Sequence, residues 1–524
     1  MPTMSPPAPL VAPAAVDIVM SEVVQKYAAL HPGKACVTTA DEGDWTWADA
    51  REEMFRAANA MRAMGIEPGH RVGIMLPNGL DWLRAWWGTI CLGGIVVAIN
   101  PALRGEALRH VLDDSEPQVV FAVGDLVDRI EDCGSQVRIL DPVTLHNGDA
   151  IAPAVEPIQI WDTAWIGYTS GTTGPAKGAV MTHAQMARTA SPPEFGAAAD
   201  DTLLIYTPMF HIGGCIYGMS AWLLGATLAL RSHFVADQWL EMVRKSGATR
   251  SILVASMTPT LMATPEHPDD ADNPLHTTVM IPVTADADLL RKRFGIKTVV
   301  AGYGMTELGL ALSHQWPGEI TKPASAGKPK PGVEVRLVDE HDIPVPPGSP
   351  GELIMRSDRP WEICSEYLNQ PELTAKTWRN GWFHTGDQFY CDDEGFYFFV
   401  DRATDSIRRR GENISSFEVE RAVISHPDVI DVACVGVANQ TSNDAEVKVF
   451  IVVREADAFD PADLIEHCRT RLHYFAIPTF VEVIDELPKT QATARHLKFK
   501  LRQMGNSART WDRRAAGIVI KRDY

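Results

Sequence analysis

Residues 168–178 read YTSGTTGPAKG and follow an apolar run. Hydroxyl side chains stand at Thr169, Ser170, Thr172 and Thr173, glycines at Gly171, Gly174 and Gly178, and one lysine at Lys177. Glycine lets the backbone bend until successive N–H groups converge on an anion. The hydroxyls add donors, and Lys177 adds a mobile positive charge. Such a loop grips a polyphosphate. The competing reading, a surface linker with solvated hydroxyls, is disfavoured by the order of these residues between an expected strand and an expected helix. The Walker pattern GxxxxGK[ST] is absent. The spacing by itself therefore specifies a phosphate binder and nothing narrower.

Working outward, the chain alternates helix and strand. Helices are expected over 16–30, 46–64 and 80–91. Thr46 caps the second of these, and Gly65 supplies its left-handed stop. Short buried strands are expected over 72–76, 93–100, 118–122, 165–168, 202–206, 251–254 and 298–300. Alternation of this kind predicts an α/β fold with parallel sheets. From 326 to 399 the chain turns rich in Pro and Gly, with strands over 334–338 and 352–356, a β-rich subdomain. Beyond 401, helices over 417–425 and 461–471 and strands over 429–437 and 447–453 predict a compact α+β unit. The expected organisation is a disordered tail 1–16, a large domain 17–400, a hinge 401–405 and a small mobile domain 406–524. No internal repeat is visible.

The 524 residues carry 48 Lys and Arg against 67 Asp and Glu, a net charge of −19, which disfavours a nucleic-acid footprint. At 45% hydrophobic and 22% charged the composition is that of a globular protein able to bury a large core. Cys36, Cys91, Cys133, Cys215, Cys364, Cys391, Cys434 and Cys468 form no CxxC pair, so zinc ribbons and disulfide scaffolds are not expected. Reduced thiols point to the cytoplasm. The first sixteen residues lack a basic start and are broken by prolines, unlike a signal peptide. No apolar run reaches the ~18 residues of a membrane span.

TSGTTGPAKG resembles the signature loop of the adenylate-forming superfamily: acyl-CoA synthetases, peptide-synthetase adenylation domains and luciferases. Further stretches match in the family's order. YGMTE at 303–307 resembles its YGxTE motif, and GWFHTGD at 381–387 its TGD motif. Asp401 and Arg402 through RGENIS at 410–415 resemble its hinge and following loop. The resemblance runs from about residue 16 to 524. Within the superfamily, RRRGENISSFEVE and TWDRRAAGI resemble the carnitine/crotonobetaine-CoA ligase-like branch.

The resemblance implies a ligase in which a carboxylate attacks the α-phosphorus of ATP and coenzyme A then displaces AMP. It implies that Thr169, Ser170, Gly171, Thr172, Thr173, Gly174 and Lys177 hold the β- and γ-phosphates. Tyr303 would lie against adenine, Thr306 on the α-phosphate, and Glu307 on Mg²⁺. Asp387 and Arg402 would reach the ribose. His211, Met209 and Gly302 would border the acid's pocket, with Trp222, Trp239 and the segment 215–219 as weaker candidates. Thr404 stands at the pivot, where Asp or Lys is usual.

Two departures stand out. The family's C-terminal lysine, within PKTxTGK, is replaced: in LPKTQATARHLKFKLR, 487–502, Arg495 holds its place, Ala494 replaces the preceding glycine, and one residue is inserted. Arg495 keeps the charge in a different shape, and Lys498 is the alternative cation. IPVTA at 281–285 stands where GGAP-like residues are common. The altered lysine leaves room for an adenylating enzyme that does not use coenzyme A, such as a diazotase joining nitrite to an aryl amine. A non-catalytic nucleotide-binding relative is the remaining alternative.

Overall fold

The protein, a computed structural model, is described over residues 13–169, 176–190, 197–254, 257–281, 283, 286–402, 407–409, 412–438, 445–469, 471–472, 474, 476–489 and 496–520, with backbone alone at 401–402, 408–409, 412–413 and 438. It separates into two compact units. The larger comprises Met1–Gly171, Pro175–Glu334 and Met355–Phe383; the smaller comprises Thr172–Gly174, Val335–Ile354 and His384–Tyr524.

The larger unit is α/β. One sheet runs in the order Glu366–Tyr367, Lys177–Thr182, Thr163–Thr169, Ile95–Ala98, Arg71–Met75, Val119–Ala122, Ile139–Leu140. Its last five strands are parallel. The other sheet contains six consecutive parallel strands: Thr298–Met305, Thr277–Ile281, Arg250–Val254, Thr202–Ile205, Thr227–Leu230 and Ala35–Thr38. Such strands are covered on both faces, so they read as continuous apolar runs rather than as alternations.

Five tryptophans cluster in the core of the larger unit. Trp82, Trp86, Trp87, Trp165 and Trp222 are all buried. Their rings form a connected chain with centroid spacings from 4.7 Å (Trp87–Trp222) to 5.9 Å (Trp82–Trp165). Helix Trp47–Ala63 begins with a complete capping box, Thr46 accepting from Asp49 N and Asp49 accepting from Thr46 N, a device worth about 1 kcal/mol. The expected helix over 16–30 divides into Ala15–Ile18 and Met20–Leu30, because Val19 is extended (φ −77°, ψ 117°) with its side chain in the core.

In the smaller unit, strands Val429–Ala438, Ala445–Val453, Phe480–Val483 and Trp511–Asp512 form one sheet. Helices Ser416–Ile424 and Pro461–Arg469 pack on it through Val419, Val423, Leu464 and Ile465. In the same unit, residues 387–391 of strand Phe383–Cys391 pair antiparallel with strand Tyr397–Arg402. Among the described residues no helix is long and apolar enough to cross a membrane.

Candidate active site

The phosphate loop is flanked differently from the expectation. A strand, not a helix, follows it. Lys177–Thr182 pairs antiparallel with Thr163–Thr169, Thr169 directly opposite Lys177 and Tyr168 opposite Gly178. The helix His183–Ala190 starts only after that strand. The reason lies in KGAVMT: its side chains after Lys177 are all buried, so the segment extends a sheet instead of exposing one polar helical face. Thr169 and Lys177 thus form the last described pair of an antiparallel ladder, with Lys177 at its end. Ser170, Gly171, Thr172, Thr173 and Gly174 lie outside the described residues.

Both hairpin flanks are braced. Tyr168 donates its hydroxyl to Asp114 at 2.7 Å, and His110 Nε2 lies 2.9 Å from the Ala176 carbonyl. Asp114 and His110 both belong to helix Gly105–Ser115.

The YGMTE segment leaves strand Thr298–Met305. Gly302 faces Tyr303's neighbours rather than open space: an added Cβ would stand 2.6 Å from Leu310 Cδ1 and 3.7 Å from Ile281 Cδ1. Thr306 crosses to the hairpin, its Cγ2 only 3.0 Å from where a Cβ on Gly167 would lie. The backbone there is pinned from two sides. Gln185 Nε2 donates to the carbonyls of Thr306 (3.1 Å) and Glu307 (3.0 Å), and Cys364 N donates to the Glu307 carbonyl at 2.8 Å.

Glu307 is 4% exposed and Tyr367 7%. The Tyr367 hydroxyl donates to Glu307 Oε1 at 2.7 Å. Burial, then the Glu307 charge, raises the Tyr367 phenol far above its ordinary value, so it stays a donor. The Lys177 ammonium stands 5.8 Å from the centre of the Tyr367 ring, within cation–π range. Burial, then Glu307, pushes the neighbouring Cys364 thiol up to about 12. Lys177, Thr306 and Glu307 therefore meet in one corner, with Tyr367 and Gln185 as members that sequence reading missed. Neither belongs to a motif read above; Tyr367 lies in the plain stretch SEYLNQ.

Of the residues expected to border the acid's pocket, His211 caps helix Ile212–Trp222, its Nδ1 accepting from Gly213 N at 3.1 Å. Burial lowers its imidazole to about 4, so it is neutral. Met209 is fully buried. Its N–H donates at 2.8 Å to Asn78 Oδ1, while Asn78 Nδ2 donates to the carbonyls of Thr207 (3.0 Å) and Arg231 (3.1 Å). Asn78 is a further missed residue that fixes the 207–211 segment. Trp239 packs edge-on against Phe294 and Trp222 against Trp87, so both are core. Residues 282, 284 and 285 of the IPVTA segment lie outside the described residues.

In the smaller unit, Asp387 is 4% exposed and lies within strand Phe383–Cys391. Gly386 before it has φ +70°, and its N–H donates to Glu352 Oε1 at 3.0 Å. Glu352 Oε2 lies 3.1 Å from His384 Nδ1. Asp387 stands opposite Arg402 in the antiparallel pair. Two ribose candidates thus occupy facing positions on one ladder.

Thr404 and Arg495 lie outside the described residues. The ends of the segment carrying Arg495 are described: Lys489 and His496 form a β-bridge. The Asp431 carboxylate joins them, 2.5 Å from Lys489 Nζ and 3.0 Å from His496 Nε2. Burial alone would raise Asp431, but hydrogen bonds from His496 and Lys489 outweigh it and hold the carboxyl below its usual range. Lys498, the alternative cation, is tied elsewhere, 2.8 Å from Glu420 and 2.6 Å from Ser416 Oγ.

Among the described residues no cluster of three or more His, Cys, Asp or Glu could hold a metal by itself. A lone buried carboxylate beside a phosphate loop suits Mg²⁺, which takes one or two carboxylates and completes its shell with phosphate oxygens and water.

The model of the AMP-binding enzyme matches residues 24–368, and that of the AMP-binding enzyme C-terminal domain matches 418–493. Crotonobetaine/carnitine–CoA ligase of Salmonella paratyphi A is 30% identical over 471 residues, 85% of this chain and 90% of that one. Among solved structures, o-succinylbenzoate coenzyme A synthetase of Bacillus subtilis with AMP is 25% identical at a TM-score of 0.83, covering 94% of this chain and 99% of that one. The same enzyme has been solved with ATP and a magnesium ion. The Mycobacterium tuberculosis fatty acyl CoA synthetase is 26% identical at a TM-score of 0.73, covering 94% and 99%. With two thirds of its length in the first family model and the corner of Lys177, Thr306 and Glu307 in place, the chain belongs to the AMP-binding enzyme family and is an adenylate-forming ligase.

Proposed function

We propose that the chain is an ATP-dependent acyl-CoA ligase acting on a small or medium organic acid in the cytoplasm. A carboxylate oxygen of the acid attacks the α-phosphorus of ATP, the bond to the β-phosphate bridge breaks, and pyrophosphate leaves. The thiol of coenzyme A then attacks the acyl carbon of the adenylate, AMP departs, and the thiol proton goes to solvent. Chemistry of this kind needs alignment and charge neutralisation more than covalent help.

Lys177 supplies positive charge to the outer phosphates, with Thr169 and the loop from Ser170 to Gly174 around them. Thr306 holds the α-phosphate, and Tyr303 lies along the adenine. Asp387 accepts from the ribose hydroxyls, with Arg402 beside it. Glu307 would hold Mg²⁺, which when bound neutralises phosphate charge. Arg495 takes the role of the family's C-terminal lysine, and 406–524 turns about Thr404 between the two half-reactions. The observation that carries this reading is the buried corner where the Lys177 ammonium and the Glu307 carboxylate share Tyr367.

The test is a panel of carboxylic acids with ATP, Mg²⁺ and coenzyme A. Acid-dependent AMP release together with a CoA thioester is expected. A broad panel yielding neither product overturns the proposal. The replacement at 495 keeps one other reading in play: AMP release that needs nitrite and an aryl amine, and no coenzyme A, would select it.

A further inference from the structure

Tyr367 comes from a two-residue strand that pairs with the far strand of the phosphate hairpin, Tyr367 opposite Ala179 and Glu366 opposite Val180. The same short segment supplies Cys364 N to the Glu307 carbonyl. One piece of chain thus touches the three parts that must act together: the hairpin backbone, the Lys177 ammonium and the Glu307 carboxylate.

An ammonium and a carboxylate in one low-dielectric corner attract each other strongly. A direct pair between them would take both away from the triphosphate and its ion. The Tyr367 phenol prevents this by geometry. Its hydroxyl holds one carboxylate oxygen, and its ring face offers the ammonium a separate resting place. Outer hydrogen-bond partners of this type orient metal-binding carboxylates, and losing one typically weakens metal affinity 10–100-fold.

Building on the ligase reading above, we propose that Tyr367 is a positioning residue that holds the Glu307 carboxylate in its ion-binding orientation and apart from Lys177. Tyr367→Phe removes only the hydroxyl and keeps the ring. ATP uptake by the full chain, measured by titration calorimetry without acid or coenzyme A, is followed across a range of Mg²⁺ concentrations. The Mg²⁺ concentration giving half-maximal uptake should rise about tenfold in the variant. Uptake in the absence of Mg²⁺ should stay unchanged, because the ring under Lys177 remains. Melting temperature, read in parallel, reports folding. Unchanged Mg²⁺ dependence in a folded variant overturns the proposal. So does an equal loss of uptake with and without Mg²⁺, the mark of a merely structural role. A variant that does not fold also overturns it, since positioning alone would leave the fold intact. If the wild-type chain takes up no ATP at all, the ligase reading itself falls, an outcome told apart by requiring no variant.

Discussion

The corner around Glu307 and the segment bearing Arg495 hold their charges in opposite ways. Glu307 is fixed by partners from three parts of the chain: Lys177 through the Tyr367 ring, Gln185, and the segment that carries both Cys364 and Tyr367. The segment 490–495 is closed at its ends by one local bridge and one shared carboxylate, Asp431. The first arrangement is built from buried hydrogen bonds that converge from a helix and a short strand segment, where loss of one partner leaves others. The second depends on a partly exposed ionic clamp, whose strength follows pH and salt. A mutation should therefore cut chemistry at the corner, and tune it at the clamp.

Changing Glu307→Gln attacks the corner most directly. Gln keeps an acceptor for Tyr367 but loses the charge. Acid-dependent pyrophosphate exchange should fall by about 10²–10³-fold, in the range of losing a preorganised electrostatic group, with little change in melting temperature. Exchange at wild-type rates would show that the corner is not the ion seat.

Arg495→Ala should slow adenylation by roughly 10²-fold. Thioester formation from a synthetic acyl-adenylate should stay within about twofold, and Arg495→Lys should retain most of the first step if the place is that of the family lysine. Single-turnover measurements separate the two half-reactions. Equal loss in both steps would remove Arg495 from the role of the family lysine.

Asp431→Asn should act through the clamp, lowering adenylation by about tenfold or less while both ends of the segment lose their ionic partner. The same carboxyl gives a stability signature. Its folded value is depressed, so its contribution is complete above the unfolded value of about 3.9 and is lost as pH falls through the folded value. Denaturant unfolding of wild type and variant should thus differ by about 1 kcal/mol at pH 6, and the gap should close toward pH 3. A gap that widens on acidification contradicts the clamp.

The smallest effect is expected from thiol reagents. All eight cysteines are free, and all but Cys391 are buried. Burial also raises Cys36, Cys215 and Cys364. Labelling of native protein at neutral pH should stop at Cys391 and leave activity unchanged; rapid labelling at Cys364 would mean that the corner opens.

Local signals served the sequence reading well where the determinant was local. Thr46 followed by Asp49 marks a helix start, and the helix begins at Trp47. Leu80–Cys91 appears with the expected bounds. Glu307 and Lys177 carry motif spacing, and they do meet. What remained hidden is long-range. Nothing near Tyr367 announces a partner 60 residues earlier, and nothing near Asn78 announces the carbonyl of Thr207, 129 residues later. The strand Lys177–Thr182 was missed for a different reason: a short run buried on every side has no periodicity to separate strand from helix.

Gly309 lies two residues after Glu307, at φ +65°, and an added Cβ there would stand 2.1 Å from Thr189 Oγ1. Gly304, on the other side, leaves only 2.2 Å between such a Cβ and the Gly309 carbonyl oxygen. Anyone retargeting this protein to a new acid should therefore keep both glycines constant in a mutant library. Diversity is better placed at Ile281, whose Cδ1 comes no nearer than 3.7 Å to a Cβ added at Gly302, than at the buried Leu310, whose Cα lies against Gly304.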